Sequence, residues 1–184
     1  MDYLDWNVHY GTIKDYDIAN GEGVRVSLFL SGCSHHCYNC FNEETWDPSY
    51  GEVYTQETED HLIQAVSKPW IQGISILGGD PLYGDNPKVV FHLLMRMGVE
   101  TPNKDIWLYT GDTIKEIATK ISNGEDIIYK LLQRVDVLVE GPYVDNLKDL
   151  SLKFRGSSNQ RVMMKKDFLM EISKLLYEGN LNDE

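Results

Sequence analysis

Val24-Arg25-Val26-Ser27-Leu28-Phe29-Leu30-Ser31 runs directly into Gly32-Cys33-Ser34-His35-His36-Cys37-Tyr38-Asn39-Cys40. The first part alternates apolar and other residues with a period of two, which predicts a strand ending at Gly32. The cysteines then lie on a loop at that strand's carboxyl end. The same arrangement recurs downstream. Gly73 to Leu77 reads as a short buried strand ending in Gly78-Gly79-Asp80-Pro81, and Ile106 to Tyr109 as another ending in Thr110-Gly111-Asp112. Val135 to Val139 reads as a fourth, ending in Glu140-Gly141-Pro142-Tyr143.

Helical patterns separate these strands. They cover residues 57–67, a segment starting at Pro87, a stripe through Ile114, Ile117, Ala118 and Ile121, residues 125–134, and a last helix marked by Phe168, Ile172, Leu175 and Leu176. Alternating strands and helices imply βαβ units and a parallel sheet. Ligands of such sheets bind beyond the carboxyl ends of the strands. Four strands are too few to close an eight-stranded barrel, so the expected fold is α/β, a partial (open) parallel β/α barrel. The length of 184 residues fits a single domain over 1–184, with a polar, frayed tail from about residue 179.

The formal charge of −12, from 17 basic and 29 acidic residues, argues against a nonspecific nucleic-acid binder, which needs clustered Lys and Arg. No apolar run approaches the roughly 20 residues that span a bilayer. Met1 to Trp6 starts acidic without an apolar leader core. Three cysteines make a poor disulfide framework, so the expected compartment is the reducing cytoplasm.

Cys33-x3-Cys37-x2-Cys40 places three soft thiolates within eight residues. Such donors suit zinc, copper(I) and iron–sulfur clusters. A Cys3His zinc site using His35 or His36 is one reading. A [4Fe–4S] cluster held by three thiolates is the other, and it leaves one iron open to an exogenous ligand. Unligated packing thiols are a third, poorer account of three cysteines so close together.

Cys-x3-Cys-x2-Cys after a first strand resembles the signature of the radical S-adenosylmethionine superfamily. The resemblance implies that Cys33, Cys37 and Cys40 are the metal ligands and that S-adenosylmethionine chelates the fourth iron. Asn39 and Cys40 would then face the cofactor, with Asn39 where the superfamily often has an aromatic residue. Gly78-Gly79-Asp80 resembles the turn that binds the methionyl ammonium, with Asp80 where most members have Glu. Asp there is the habit of one branch, the anaerobic ribonucleoside-triphosphate reductase activating proteins. Asp17 to Arg25, Phe41 to Trp46, Glu140-Gly141-Pro142-Tyr143 and Arg155-Gly156-Ser157-Ser158-Asn159-Gln160-Arg161 also resemble that branch in order and spacing.

The resemblance implies a radical S-adenosylmethionine oxidoreductase, a glycyl-radical activase. The reduced cluster would cleave the cofactor to a 5′-deoxyadenosyl radical, which removes a Cα hydrogen from one glycine of the large reductase subunit. No side chain is expected to act as acid or base. A flavodoxin-like or other low-potential donor would supply the electron, and neither a monomer nor a homodimer is excluded. The alternatives are an activase of another glycyl-radical enzyme, a small-molecule radical enzyme, and a zinc-binding interaction module. Lys153, Arg155, Arg161, Lys165 and Lys166 form a local basic stretch without an acid over 153–166. It fits an anionic group or a solvated loop equally well.

Overall fold

The strand quoted above is β2 (Arg25–Leu30), and all six of its residues are buried. Alternation alone predicts a half-buried strand. β2 instead lies inside the sheet with both faces covered. The computed structural model describes residues 6–181. The other strands are β1 (His9–Asp17), β3 (Glu52–Val53), β4 (Gly73–Gly78), β5 (Asp105–Tyr109), β6 (Val137–Glu140) and β7 (Arg161–Met164). Their order across the sheet is β3-β1-β2-β4-β5-β6-β7.

β2, β4, β5 and β6 are mutually parallel, as the βαβ pattern implies. The sheet as a whole is mixed, which corrects the expectation of a purely parallel one. β1 pairs antiparallel with β2, β3 with β1, and β7 with β6. β1 follows no clean alternation of apolar residues, and β7 lies within the basic stretch, so neither carries a strong strand signal.

The described residues also form five α-helices: α1 (Gln56–Ser67), α2 (Asn86–Glu100), α3 (Ile114–Ser122), α4 (Asp126–Leu132) and α5 (Lys165–Leu181). α5 carries the backbone past Gly179, where the frayed tail was expected; residues 182–184, like residues 1–5 at the other end, lie outside the described residues. α1 and α3 begin at Thr55 and Thr113, each closing a reciprocal capping box with the residue three positions on. No helix among the described residues is long and apolar enough to cross a membrane.

Successive strand residues point to opposite faces. Val26, Leu28, Leu30, Ile74, Ile76, Ile106, Leu108 and Leu138 face one way and join the apolar faces of all five helices in one core. No α-helix of the described residues joins the cluster on the other face. Trp107, Val137 and Val139 form a small cluster there with Tyr109 and Phe154. Phe154, in the left-handed region (φ 60°), sets its ring edge-on against Trp107 at 5.1 Å.

The floor of that face is polar. Arg25 is fully buried, donating to Ser75 Oγ (2.8 Å), Ile74 O (2.8 Å) and Glu22 O (3.0 Å), pairing with Asp105 and lying over the Trp107 ring. Asp17 accepts from Ser27 Oγ, Asn20 Nδ2 and the Ala19 amide. Removing one partner from such a network strands the others. Arg25→Met is therefore expected to cost about 3 kcal/mol. That corresponds to roughly 6–12 °C in Tm for a chain of this size, measurable by calorimetry.

Candidate metal centre

The carboxyl ends of β2, β4 and β5 meet at one place, and the glycines there explain how they come so close. Gly78 adopts φ +115°, and a Cβ on it would collide with the Leu30 backbone. A Cβ on Gly79 would collide with the carbonyls of Gly32 and Thr45. The two glycines thus let the β4 turn nest against the cysteine loop. Gly79 N donates to Leu30 O (2.7 Å) and Asp80 N to Gly32 O (2.8 Å). Asn86 Nδ2 clamps both turns through Ser31 O (3.0 Å) and Asp80 O (2.8 Å).

The cysteine loop folds back on itself at two non-glycine residues in the left-handed region, His36 (φ 47°) and Asn39 (φ 55°). Its ends are tied by Gly32 N to Thr45 O (2.7 Å) and Cys33 N to Trp46 O (3.3 Å). Cys33, Cys37 and Cys40, all free thiols, line the same cleft of about 590 Å³. The His35 amide donates to Cys33 Sγ (3.5 Å) and the Asn42 amide to Cys40 Sγ (3.4 Å), contacts that favour sulfur carrying negative charge. Burial pushes the Cys33 thiol up to about 11, so a metal has to displace its proton on binding. Three soft donors lining one open cleft suit an iron–sulfur cluster with one free coordination position.

Gly78, Gly79, Tyr109, Thr110, Gly111, Lys14 and Arg155 also line the cleft. Although the chain holds 29 acidic residues, no Asp or Glu among the described residues lines the cleft. Lys14, on β1, lies over the Phe29 ring at 5.0 Å. Two acids beside the cysteine loop, Asp80 and Asp112, are buried. Asp80 is 2% exposed, and its carboxylate accepts from Leu82 N (2.8 Å), Thr110 Oγ1 (2.9 Å) and Gly111 N (2.9 Å). His35 Nε2 is 3.0 Å from Asp80 and 3.3 Å from Asp112, which also pairs with Lys120. Hydrogen bonds to Asp112 and Asp80 push the His35 imidazole up to about 10, so it stands between the two carboxylates as a cation. Burial alone would raise Asp112, but bonds from His35 and Lys120 hold it below the usual carboxylate value.

The two late motifs grip each other. Gln160 accepts through Oε1 from the amides of Gly156 (2.9 Å) and Ser157 (3.2 Å) and donates through Nε2 to Gly141 O (2.9 Å). Asn159 donates to Pro142 O (2.8 Å), and the Val144 amide to Ser157 Oγ (3.1 Å). Arg155 donates to Gln160 O (2.6 Å). Arg161 pairs with Glu140 and Glu171, and Glu140 also accepts from the Ile114 amide at the start of α3. Two of the five cations of the basic stretch are thus used inside the protein.

Residues 19–163 match the family model described as a 4Fe–4S single cluster domain. The anaerobic ribonucleoside-triphosphate reductase-activating protein of Vibrio cholerae serotype O1 is 41% identical over 155 residues, 83% of this chain and 96% of that one. The protein of the same name from Escherichia coli K12 is 41% identical over 157 residues, 84% of this chain and 97% of that one. The one from Enterobacteria phage T4 is 38% identical over 160 residues, 87% and 96% of the two chains. The chain belongs to this activating-protein family.

Within the activating-protein frame, the structure brings Cys33, Cys37, Cys40, Gly78 and Gly79 to one cleft. Two residues singled out by sequence stand apart. Asp80 does not line the cleft, and its carboxylate accepts from protein donors. The Asn39 side chain is exposed and donates to Asp145 (3.1 Å). His35 Nε2 faces the carboxylates, and exposed His36 sets its ring against Trp46 at 4.6 Å. Sequence reasoning missed Lys14 and the His35–Asp80–Asp112 bridge. Only Thr110-Gly111-Asp112, read as a plain turn, hinted at the bridge.

Proposed function

We propose that this protein activates anaerobic ribonucleoside-triphosphate reductase as a radical S-adenosylmethionine enzyme. The observation that carries the reading is the convergence of Cys33, Cys37 and Cys40 on one open cleft at the carboxyl ends of the parallel strands, in a chain of the activating-protein family. The four parallel strands, with helices on one face only, are then an open β/α barrel within a single domain. When bound, a [4Fe–4S] cluster and S-adenosylmethionine supply one-electron cleavage chemistry able to take a hydrogen atom from the Cα of a glycine.

The chain's own residues hold and shape that chemistry. The three thiolates ligate the cluster. Gly78 and Gly79, with the backbone at Asn39 and Cys40, offer main-chain groups to the cofactor. Asp80 serves the same turn from behind by fixing its backbone. Lys14 and Arg155 offset negative charge in a cleft that no described Asp or Glu lines. Glycine suits the open side: without a side chain its Cα is accessible, and the radical is delocalised over the flanking amide and carbonyl. A low-potential, flavodoxin-like donor in the cytoplasm completes the scheme.

Electron paramagnetic resonance of the reduced, iron-loaded protein mixed with S-adenosylmethionine and the reductase tests this. The expected result is a glycyl doublet on the reductase. A colourless protein that holds one zinc after anaerobic reconstitution overturns the reading.

A further inference from the structure

Two segments at the lip of the cleft carry exposed apolar side chains. Tyr38 (78% exposed), Phe41 (61%), Leu147 (44%) and Leu150 (88%) come from two segments, 38–41 and 143–150. Three contacts join these segments: the Phe41 ring on Tyr143 at 5.2 Å, Asn39 Nδ2 on Asp145 at 3.1 Å, and the Lys148 ammonium over Phe41 at 4.9 Å. The second segment is anchored to the braced late motif, since Ser158 N donates to Leu147 O (2.9 Å) and Lys148 bridges to Ser157. The patch is therefore built in place and exposed at once.

We propose that this patch is the docking surface for the reductase segment that carries the target glycine. The inference rests on the function proposed above. Phe41 and Tyr143 belong both to the lip and to the lining of the cleft, so the patch is continuous with the site of chemistry. Removal of a hydrogen atom requires near contact, about 3–3.5 Å between reacting atoms. The polypeptide that brings its Cα to the cleft meets the cleft's rim, of which Phe41 and Tyr143 are part, whereas an electron donor is not held to contact distance. Glycine itself has no side chain to grip, so the residues flanking it must be recognised outside the cleft. Aromatic and aliphatic anchors around a small number of charges are what a specific polypeptide contact uses. In a chain of charge −12, the Lys148 ammonium at this patch stacks on an anchor ring, Phe41.

The test is the double variant Leu147→Asp/Leu150→Asp in the full chain, with Val99→Asp, 81% exposed on α2, as the control. Neither leucine lines the cleft. After reconstitution, iron content and dithionite-driven cleavage of S-adenosylmethionine are expected to match the parent in both proteins. Affinity for purified reductase should fall at least about tenfold in the double variant only, with a matching loss of glycyl radical at subsaturating reductase. Unchanged reductase affinity overturns the docking proposal. So does a selective loss of flavodoxin-driven reduction, or of self-association, with reductase affinity intact. Failure of the parent protein itself to bind or radicalise the reductase strikes the proposed function instead.

Discussion

Cys37→Ser is expected to leave a folded protein that assembles no stable cluster and cleaves no S-adenosylmethionine. Serine offers a hard oxygen that stays protonated near neutral pH, in place of a soft thiolate. On the proposed ligand set, three thiolates would hold the cluster with one position open, and two cannot. The fold should survive because Cys37 is only half-buried and belongs to no apolar cluster. A stability change within about 0.5 kcal/mol is expected for such a position. Iron analysis, the absorbance near 400 nm and product assay after dithionite reduction measure the first two effects, and thermal unfolding of the metal-free proteins measures the third. Cysteine-to-serine change at Cys33 is a poorer probe, since that thiol is buried and its loss mixes packing with ligation. An iron-replete Cys37→Ser protein that retains cleavage removes Cys37 from the ligand set.

That first prediction rests on something legible in the chain alone, since all three donors fall within eight residues and one loop must carry them together. The parallel strands were legible for a similar local reason. Residues 73–77 and 106–109 are apolar runs cut by glycine turns, and both fall within observed strands. β1 was not legible. Tyr10, Gly11 and Thr12 break its pattern, and its pairing with β2 is decided by tertiary contact rather than by propensity. Arg25 shows the same limit in a side chain. Its place in an alternating strand suggests exposure, yet it is buried because Ser75, Ile74 O and Asp105, at least 49 residues away, supply its partners. The late motif could be matched to a family but not explained. Its purpose as a brace on Gly141 and Pro142 appears only when Gln160 and Asn159 are seen to reach them.

Asp80 is where this difference between local and long-range information has the largest measurable effect. Its carboxylate joins three loop ends, accepting from Leu82 on its own turn, from Thr110 and Gly111 after β5, and facing His35 on the cysteine loop. Asp80→Ala leaves those donors buried without an acceptor and His35 with Asp112 as its one remaining carboxylate neighbour there. A loss of about 3–5 kcal/mol is expected, the scale for removing one partner of a buried charged network. Asp80→Asn keeps the shape but turns one acceptor into a donor that faces other donors, so its cost should be smaller and still measurable, about 1–3 kcal/mol. Because Gly78 and Gly79 sit immediately before Asp80, slackening the turn should weaken S-adenosylmethionine binding while the three thiolates still collect iron. If Asp80 acts through the turn, cofactor affinity and stability should fall together, in the order parent, Asn, Ala. Direct contact with the cofactor's ammonium makes the opposite forecast: Asp80→Asn would abolish affinity at nearly unchanged Tm. Calorimetric Tm of each variant set against its dissociation constant for S-adenosylmethionine separates the two. A variant with lowered Tm and parental affinity removes Asp80 from the binding site altogether.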